Sequence, residues 1–246
     1  MPHHLHDKRA RHISAAEAAG LVQSGDWIDY GIGICQPDVF DKALAARKFQ
    51  LKNVKFRSCL SMNPRAVLEA DPEGEHFCWF NWHFSGYDRR KHDAGISHCI
   101  PCNLGEIPDY YRRFIDPIDV AVFKTCPMDQ DGFFNFGAMN LWQRAVIERA
   151  KLVIVEVTEG LPYVYGEQNG VHRSEVDYLI EGDNEPASEL PSAPPSEVDR
   201  TVARLIAGEI EWSLPADRHR RNAERRMFAA VGERRPQSRR AYGNAD

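Results

Sequence analysis

Ile118-Asp-Val-Ala-Val-Phe-Lys-Thr125 and Lys151-Leu-Val-Ile-Val-Glu-Val157 are two short, nearly continuous apolar runs rich in valine and isoleucine. Runs of this length and composition read as strands covered on both faces, as in a parallel sheet. Between them, Ala138–Ala150 carries apolar residues at helical spacing and predicts an amphipathic helix. Strand, helix and strand in succession make a βαβ unit. The same alternation continues outward. Ser14-Ala-Ala-Glu17 is a capping box opening a helix to about Gln23, which Gly25 ends. Trp27–Tyr30 is a short strand, Gly31–Pro37 a loop, and Asp38 to about Gln50 a helix. Asn53–Leu60 and His76–Trp82 are β-rich, and Gly105–Arg113 is helical. A Pro/Ser/Ala linker, Pro186–Pro195, precedes a last helix, Ser196–Glu211. The pattern predicts an α/β fold with a largely parallel sheet flanked by helices, followed by an irregular Arg-rich C-terminal tail.

An apolar fraction of 43% in 246 residues is enough for a core. No apolar run approaches the ~20 residues of a membrane span. The start, Met-Pro-His-His-Leu-His, lacks the apolar stretch of a secretory signal, so a cytoplasmic protein with a flexible first 11 residues is expected. The six cysteines are scattered and read as reduced thiols. Cys99-Ile-Pro-Cys102 has no second ligand pair at zinc spacing and does not open a helix, so neither a metal nor a redox role is expected. Charge is unevenly spread. After Trp212 nine arginines face four acids, so the tail carries +5 and residues 1–212 carry −10 of a net −5. An acidic body argues against nucleic acid as partner. The tail lacks the aromatic spacing or apolar face of an RNA- or membrane-binding arm.

In parallel sheets ligands lie beyond the carboxyl ends of strands, where glycine lets the main chain approach them. Two loops meet that description. Gly31-Ile-Gly33 through Pro37 permits a tight turn, and the helix behind it offers free N–H groups to an anion. Cys126-Pro-Met-Asp-Gln-Asp-Gly-Phe-Phe-Asn-Phe-Gly137 follows a buried strand and contains the turn signal Asp131-Gly132, predicting a small hairpin or excursion. Both also read as well-packed turns. His83, His98 and His172 have no obvious acid or nucleophile beside them. Glu156 and Asp29 are candidate buried carboxylates that either act or merely cap and pair locally. With no phosphate loop, Ser-His-Asp set or zinc-helix motif, the residues alone define an α/β ligand-binding domain.

Taken together, several segments resemble the acetyl-CoA hydrolase/transferase family. They are Ser24–Gly31, Asp41–Arg47, Pro108-Asp-Tyr-Tyr-Arg112, Pro127-Met-Asp-Gln-Asp-Gly-Phe-Phe-Asn-Phe-Gly137, Ala150–Val157, Val171-His-Arg-Ser174 and Val198–Arg204. Order and spacing match from about residue 12 to 211, most closely to the butyryl-CoA:acetate branch. The resemblance implies transfer of CoA from an acyl-CoA to a small carboxylate through an acyl–glutamyl anhydride and a glutamyl thioester. Coenzyme A is then a substrate and no cofactor is expected. The implied substrate-binding residues are Gly31, Gly33 and Pro37 on the first loop, and Pro127, Met128, Asp129, Gly132, Asn135 and Gly137 on the second. The nucleophilic glutamate lies in the family's second domain, so residues 12–211 form an amino-terminal domain without it. Two further readings stay open: one subunit of a two-chain transferase, or a non-catalytic module binding CoA or a carboxylate. The expected protein partners are the missing second half or a second copy, meeting on an apolar face.

After Glu211 the family continues with a Gly-Ala step and a Gln-x-Gly-Ile-Gly-Gly-x-Pro loop, whereas this chain reads Trp212-Ser-Leu-Pro-Ala-Asp-Arg-His-Arg-Arg-Asn-Ala223. Read one base later with allowed codons, these residues give Gly-Ala-Cys-Leu-Gln-Ile-Gly-Ile-Gly-Gly-Met-Pro. A small insertion or deletion near codons 211–212 is therefore expected, with 212–246 as out-of-frame translation.

Overall fold

The computed structural model describes residues 10–189 and 194–209 and divides the chain into two units, 1–188 and 189–246. The first nine residues and the tail 212–246 lie outside the described residues.

Eight strands of the first unit form one parallel sheet. In chain order they are β1 (Arg11–His12), β2 (Trp27–Ile32), β3 (Val54–Cys59), β4 (Phe77–Asn81), β5 (Ser97–Cys99), β6 (Val120–Thr125), β8 (Leu152–Val157) and β10 (Tyr178–Glu181). They lie in the order β1-β10-β8-β6-β2-β3-β4-β5, each neighbour parallel. A separate antiparallel pair joins β7 (Phe133–Asn135) to β9 (Gly170–His172). The helices are α1 (Ala15–Gly20), α2 (Val39–Ala45), α3 (Ala66–Ala70), α4 (Gly86–Asp93), α5 (Ile107–Arg113), α6 (Gln143–Ile147) and, in the second unit, α7 (Glu197–Glu209).

The two-residue period of a strand sorts its side chains onto two cores. Val120 and Val122 of β6 join Ile28, Tyr30, Phe56 and Trp79 under the face that packs α1, α2 and α3. Ala121 and Phe123 join Val153, Val155, Tyr111 and Trp142 under α5 and α6. Every residue of β6 is buried, as its apolar sequence requires of a central strand covered on both faces.

The α/β reading holds, and α1 begins at the predicted capping box, with Ser14 accepting from the Glu17 N–H and Glu17 accepting from the Ser14 N–H. The helix predicted over Ala138–Ala150 shortens to Gln143–Ile147. Gln143 explains the late start: its Oε1 accepts from the Leu141 and Trp142 amides and its Nε2 donates to the Met139 carbonyl, holding 139–142 in a turn. The helix predicted to run to Gln50 stops at Ala45 and resumes as one 3₁₀ turn, Lys48–Gln50. Ala10 and Arg11, expected in a flexible end, donate to the carbonyls of Val176 and Asp177 and lengthen the sheet edge. Among the described residues no helix is long and apolar enough to cross a membrane.

Candidate functional site

The chain leaves β2 toward β3, β4 and β5 on one side of the sheet, and later builds β6, β8 and β10 on the other. The order therefore reverses between β2 and β6, and the loops beyond their carboxyl ends diverge. Such a switch point is where open parallel sheets form a ligand crevice. Both loops singled out in the sequence sit there: Gly31 and Ile32, expected in the first loop, prove to end β2, with Gly33–Pro37 following it, and Cys126–Gly137 follows β6.

The first loop is held from several directions. A Cβ on Gly31 would lie 2.8 Å from the Cys35 carbonyl oxygen, so the main chain packs on itself in a way only glycine permits. Gly33 takes φ +54° and opens the 3₁₀ turn Gly33–Cys35, covered by the thioether of Met139. The Cys35 thiol donates to the Phe136 carbonyl at 2.8 Å, tying the first loop to the second. Burial pushes that thiol up to about 12, which makes it a packing group and not a nucleophile. Gln36, buried, donates to Ser58 Oγ at 2.6 Å and to the Cys59 carbonyl at 3.0 Å, fastening the loop to the end of β3.

The anion at the start of α2 is internal. Glu156, fully buried on β8, accepts from the backbone N–H groups of Asp38 (2.9 Å), Val39 (3.0 Å) and Phe40 (2.9 Å). The helix end predicted to receive a ligand anion is thus filled by the protein's own carboxylate, which reaches across β6. Burial pushes the Glu156 carboxyl up, and the Phe40, Asp38 and Val39 amides draw it back. Asp38 lies between two cations, with Arg65 Nη2 at 2.7 Å from Oδ1 and Lys124 Nζ on Oδ2. Burial alone would raise Asp38, but Arg65 and Lys124 outweigh it and hold its carboxyl below the usual range. Asp29, the other candidate, pairs with Arg57 at 2.7 Å and accepts from the Tyr111 hydroxyl, a buried structural pair.

The second loop is an excursion, since β7 pairs with β9 some 35 residues on and not with a hairpin neighbour. Asp129 organises it: Oδ1 accepts from the amides of Asp131 (3.0 Å) and Phe133 (2.8 Å). Asn135 Oδ1 accepts from Gly137 N–H at 2.8 Å, while its Nδ2 donates to the Val164 carbonyl at 3.0 Å. Gly132 (φ +85°) lies under His172, where a Cβ would sit 2.9 Å from Nε2. Alongside the exposed Gln130 and Asp131, this region presents Met128, Phe133, Leu141, Tyr163 and Tyr165 to the outside.

Two cavities flank the loops. One, of about 220 Å³, is walled by Gly33, Gln36, Asp38, Arg65, Lys124 and Thr158 among others. The other, an open hollow of about 260 Å³, includes Asp129, Asn135, Phe133 and Tyr163 in its wall. Of the nine residues named from the sequence, Gly33 lines the first and Asp129 and Asn135 the second; the remaining six shape the loops or their surface. Sequence reasoning missed Gln36, Asp38, Arg65 and Lys124. Only Lys124 carried a signal, as a charge inside an apolar strand.

A parallel sheet covered on both faces, with a glycine turn and a polar crevice at its switch point, defines the class of α/β proteins that bind a ligand beyond their strand ends. Comparison with known proteins narrows the class. The profile of the acetyl-CoA hydrolase/transferase N-terminal domain matches residues 6–191. The butyryl-CoA:acetate CoA-transferase of Anaerostipes caccae is 41% identical over 199 residues, covering 80% of this chain and 45% of that protein. The probable butyrate:acetyl-CoA coenzyme A-transferase of Syntrophomonas wolfei is 39% identical over 204 residues, covering 82% and 45%. The crystal structure of RipA from Yersinia pestis superposes with a TM-score of 0.68 at 23% identity, over 80% of this chain and 48% of that one. This chain belongs to the acetyl-CoA hydrolase/transferase family, as its amino-terminal domain. It spans about half the length of the curated relatives it matches.

Proposed function

We propose that this chain is the amino-terminal half of a CoA-transferase that moves CoA from an acyl-CoA to a small carboxylate such as acetate, of the butyrate or 4-hydroxybutyrate type. The names of its relatives support that choice of substrates. The carrying observation is the crevice at the switch point, whose wall brings Gly33 of the glycine turn together with Asp38, Arg65 and Lys124. Asp38 in the cavity wall and the buried Glu156 behind it are engaged by cations and amides, while Asp183 and Glu185 also line the wall. In the mechanism that the family resemblance implies, the attacking carboxylate comes from the second domain, so on this proposal the chain alone is inactive. In the complete enzyme the first loop would face the developing oxyanion and the second would border the acyl-CoA. The cytoplasm, where acyl-CoA is made and used, is the compartment implied.

The frame break near codons 211–212 belongs to the same proposal, and it accounts for the arginine excess of 212–246. Sequencing the DNA from codon 205 downstream tests it first. A shifted frame encoding the Gly-Ile-Gly-Gly loop and a glutamate-bearing domain is expected. The repaired protein should then exchange CoA between butyryl-CoA and acetate, while the 246-residue chain does not. A clean frame with no second domain downstream rejects the break, and a repaired protein without transfer rejects the activity.

A further inference from the structure

Lys124 is the only charged side chain in the central strand Val120–Thr125. Its side chain is 9% exposed, and a lysine so deeply placed requires a partner for its charge. Asp38 is the partner it hydrogen-bonds, but a shared one, because Arg65 holds the other carboxylate oxygen; Glu156, in register on the neighbouring strand, adds a second negative charge nearby. Arg65 is otherwise satisfied: its remaining nitrogens donate to the carbonyls of Pro37 at 3.2 Å and Asn63 at 3.1 Å. Lys124 is not. An ammonium has three N–H donors, and among the described residues Asp38 is the acceptor within hydrogen-bond reach of Nζ. The group also forms part of the 220 Å³ cavity wall, at the end of β6 beside β2, where the strand order reverses.

A ligand meeting this ammonium must offer acceptor oxygens, and a negative charge gives the stronger hydrogen bonds. We propose that Lys124 holds the carboxylate of the small acid substrate, its two remaining N–H bonds donating to the acid's oxygens. The choice of acid rests on the CoA-transfer reading; the placement of the group does not. Asp38 competes with the acid for the same ammonium, so removing each partner changes binding in opposite directions.

The test is titration of ¹³C-acetate and ¹³C-butyrate against the intact 246-residue chain, followed by the line width of the labelled acid. Circular dichroism accompanies each variant as the check on folding. Lys124→Met, similar in length and apolar, should weaken binding about tenfold or more. Asp38→Asn should tighten it about threefold or more, a gain that a general loss of packing does not produce. No broadening by the unmutated chain, equal affinity in Lys124→Met, or weaker binding in Asp38→Asn would each overturn the assignment. Acid binding that depends on Lys124, without CoA transfer once the second half is supplied, leaves this inference standing and removes the transferase. Transfer with acid binding indifferent to Lys124 does the reverse.

Discussion

Gly31 and Asp41 each face a constraint that one substitution exposes. At Gly31 an added methyl meets backbone, the Cys35 carbonyl, which cannot rotate away as a side-chain tip would. Gly31→Ala should therefore cost about 2 kcal/mol, measured by urea denaturation; an unchanged midpoint would mean the turn yields freely. Asp41 is buried beside Tyr30 and accepts from the Ala66 amide. Burial pushes its carboxyl up to about 6, against the pull of Arg65 and that amide. The folded state thus holds this proton more tightly than the unfolded chain. Its contribution to stability is full in acid and is lost as pH rises through about 6. Asp41→Asn does not titrate, so the unmutated chain should lose about 2 kcal/mol relative to it between about pH 4.5 and pH 7. Denaturation of both proteins at both pH values reads this directly, and a flat difference would exclude Asp41 as the titrating group.

For the elements, the instructive case is α2, which starts without a side-chain cap of its own from Asp38. Its cap comes from Glu156, about 118 residues away in sequence and two strands across the sheet. Glu156→Ala would leave three amides without that acceptor, each unsatisfied N–H costing about 1–3 kcal/mol. A loss of about 3 kcal/mol or more is expected. Hydrogen exchange should quicken at the amides of Asp38, Val39 and Phe40 while those of β3 stay protected. Uniform exchange across both would show instead that Glu156 supports the whole sheet. Local sequence rules located α1, whose capping box closes within four residues. They overran α6, because the Gln143 side chain stops the helix by binding main chain that propensity alone leaves helical. The four-residue β10 lay below the length at which alternation is readable, and its place is set by pairing with β8 and β1.

At the level of the molecule, the exposed Met128, Phe133, Leu141, Tyr163 and Tyr165 lie in the segments that follow β6 and β8, and Phe133, Tyr163 and Tyr165 gather in the wall of one open hollow. Apolar side chains clustered in this way mark a surface built to be covered. That fits the proposal that the chain works joined to a second half. The tail is the part with no role in it. If 212–246 is out-of-frame translation, a chain lacking those residues should melt at the same temperature as the full one in differential scanning calorimetry. A clear drop on deletion would show that the tail packs on the body and has been selected to do so.

The sequence by itself determined five inner strands of the sheet, its largely parallel sense and the family. Those follow from patterns that are local or repeated, namely apolar runs, helical spacing, caps and a dozen-residue loop motif. It also placed both loops at strand ends, starting the first two residues early because β2 runs on to Ile32. Only the tertiary structure decided what those loops do. The anion at α2 proved to be the protein's own, Asp129 proved to organise its turn, and Lys124 came to share Asp38 with Arg65. The physical reason is distance along the chain. Asp38, Arg65, Lys124 and Glu156 come from four separate segments, and only the parallel stacking of β2, β3, β6 and β8 brings their charges into one site.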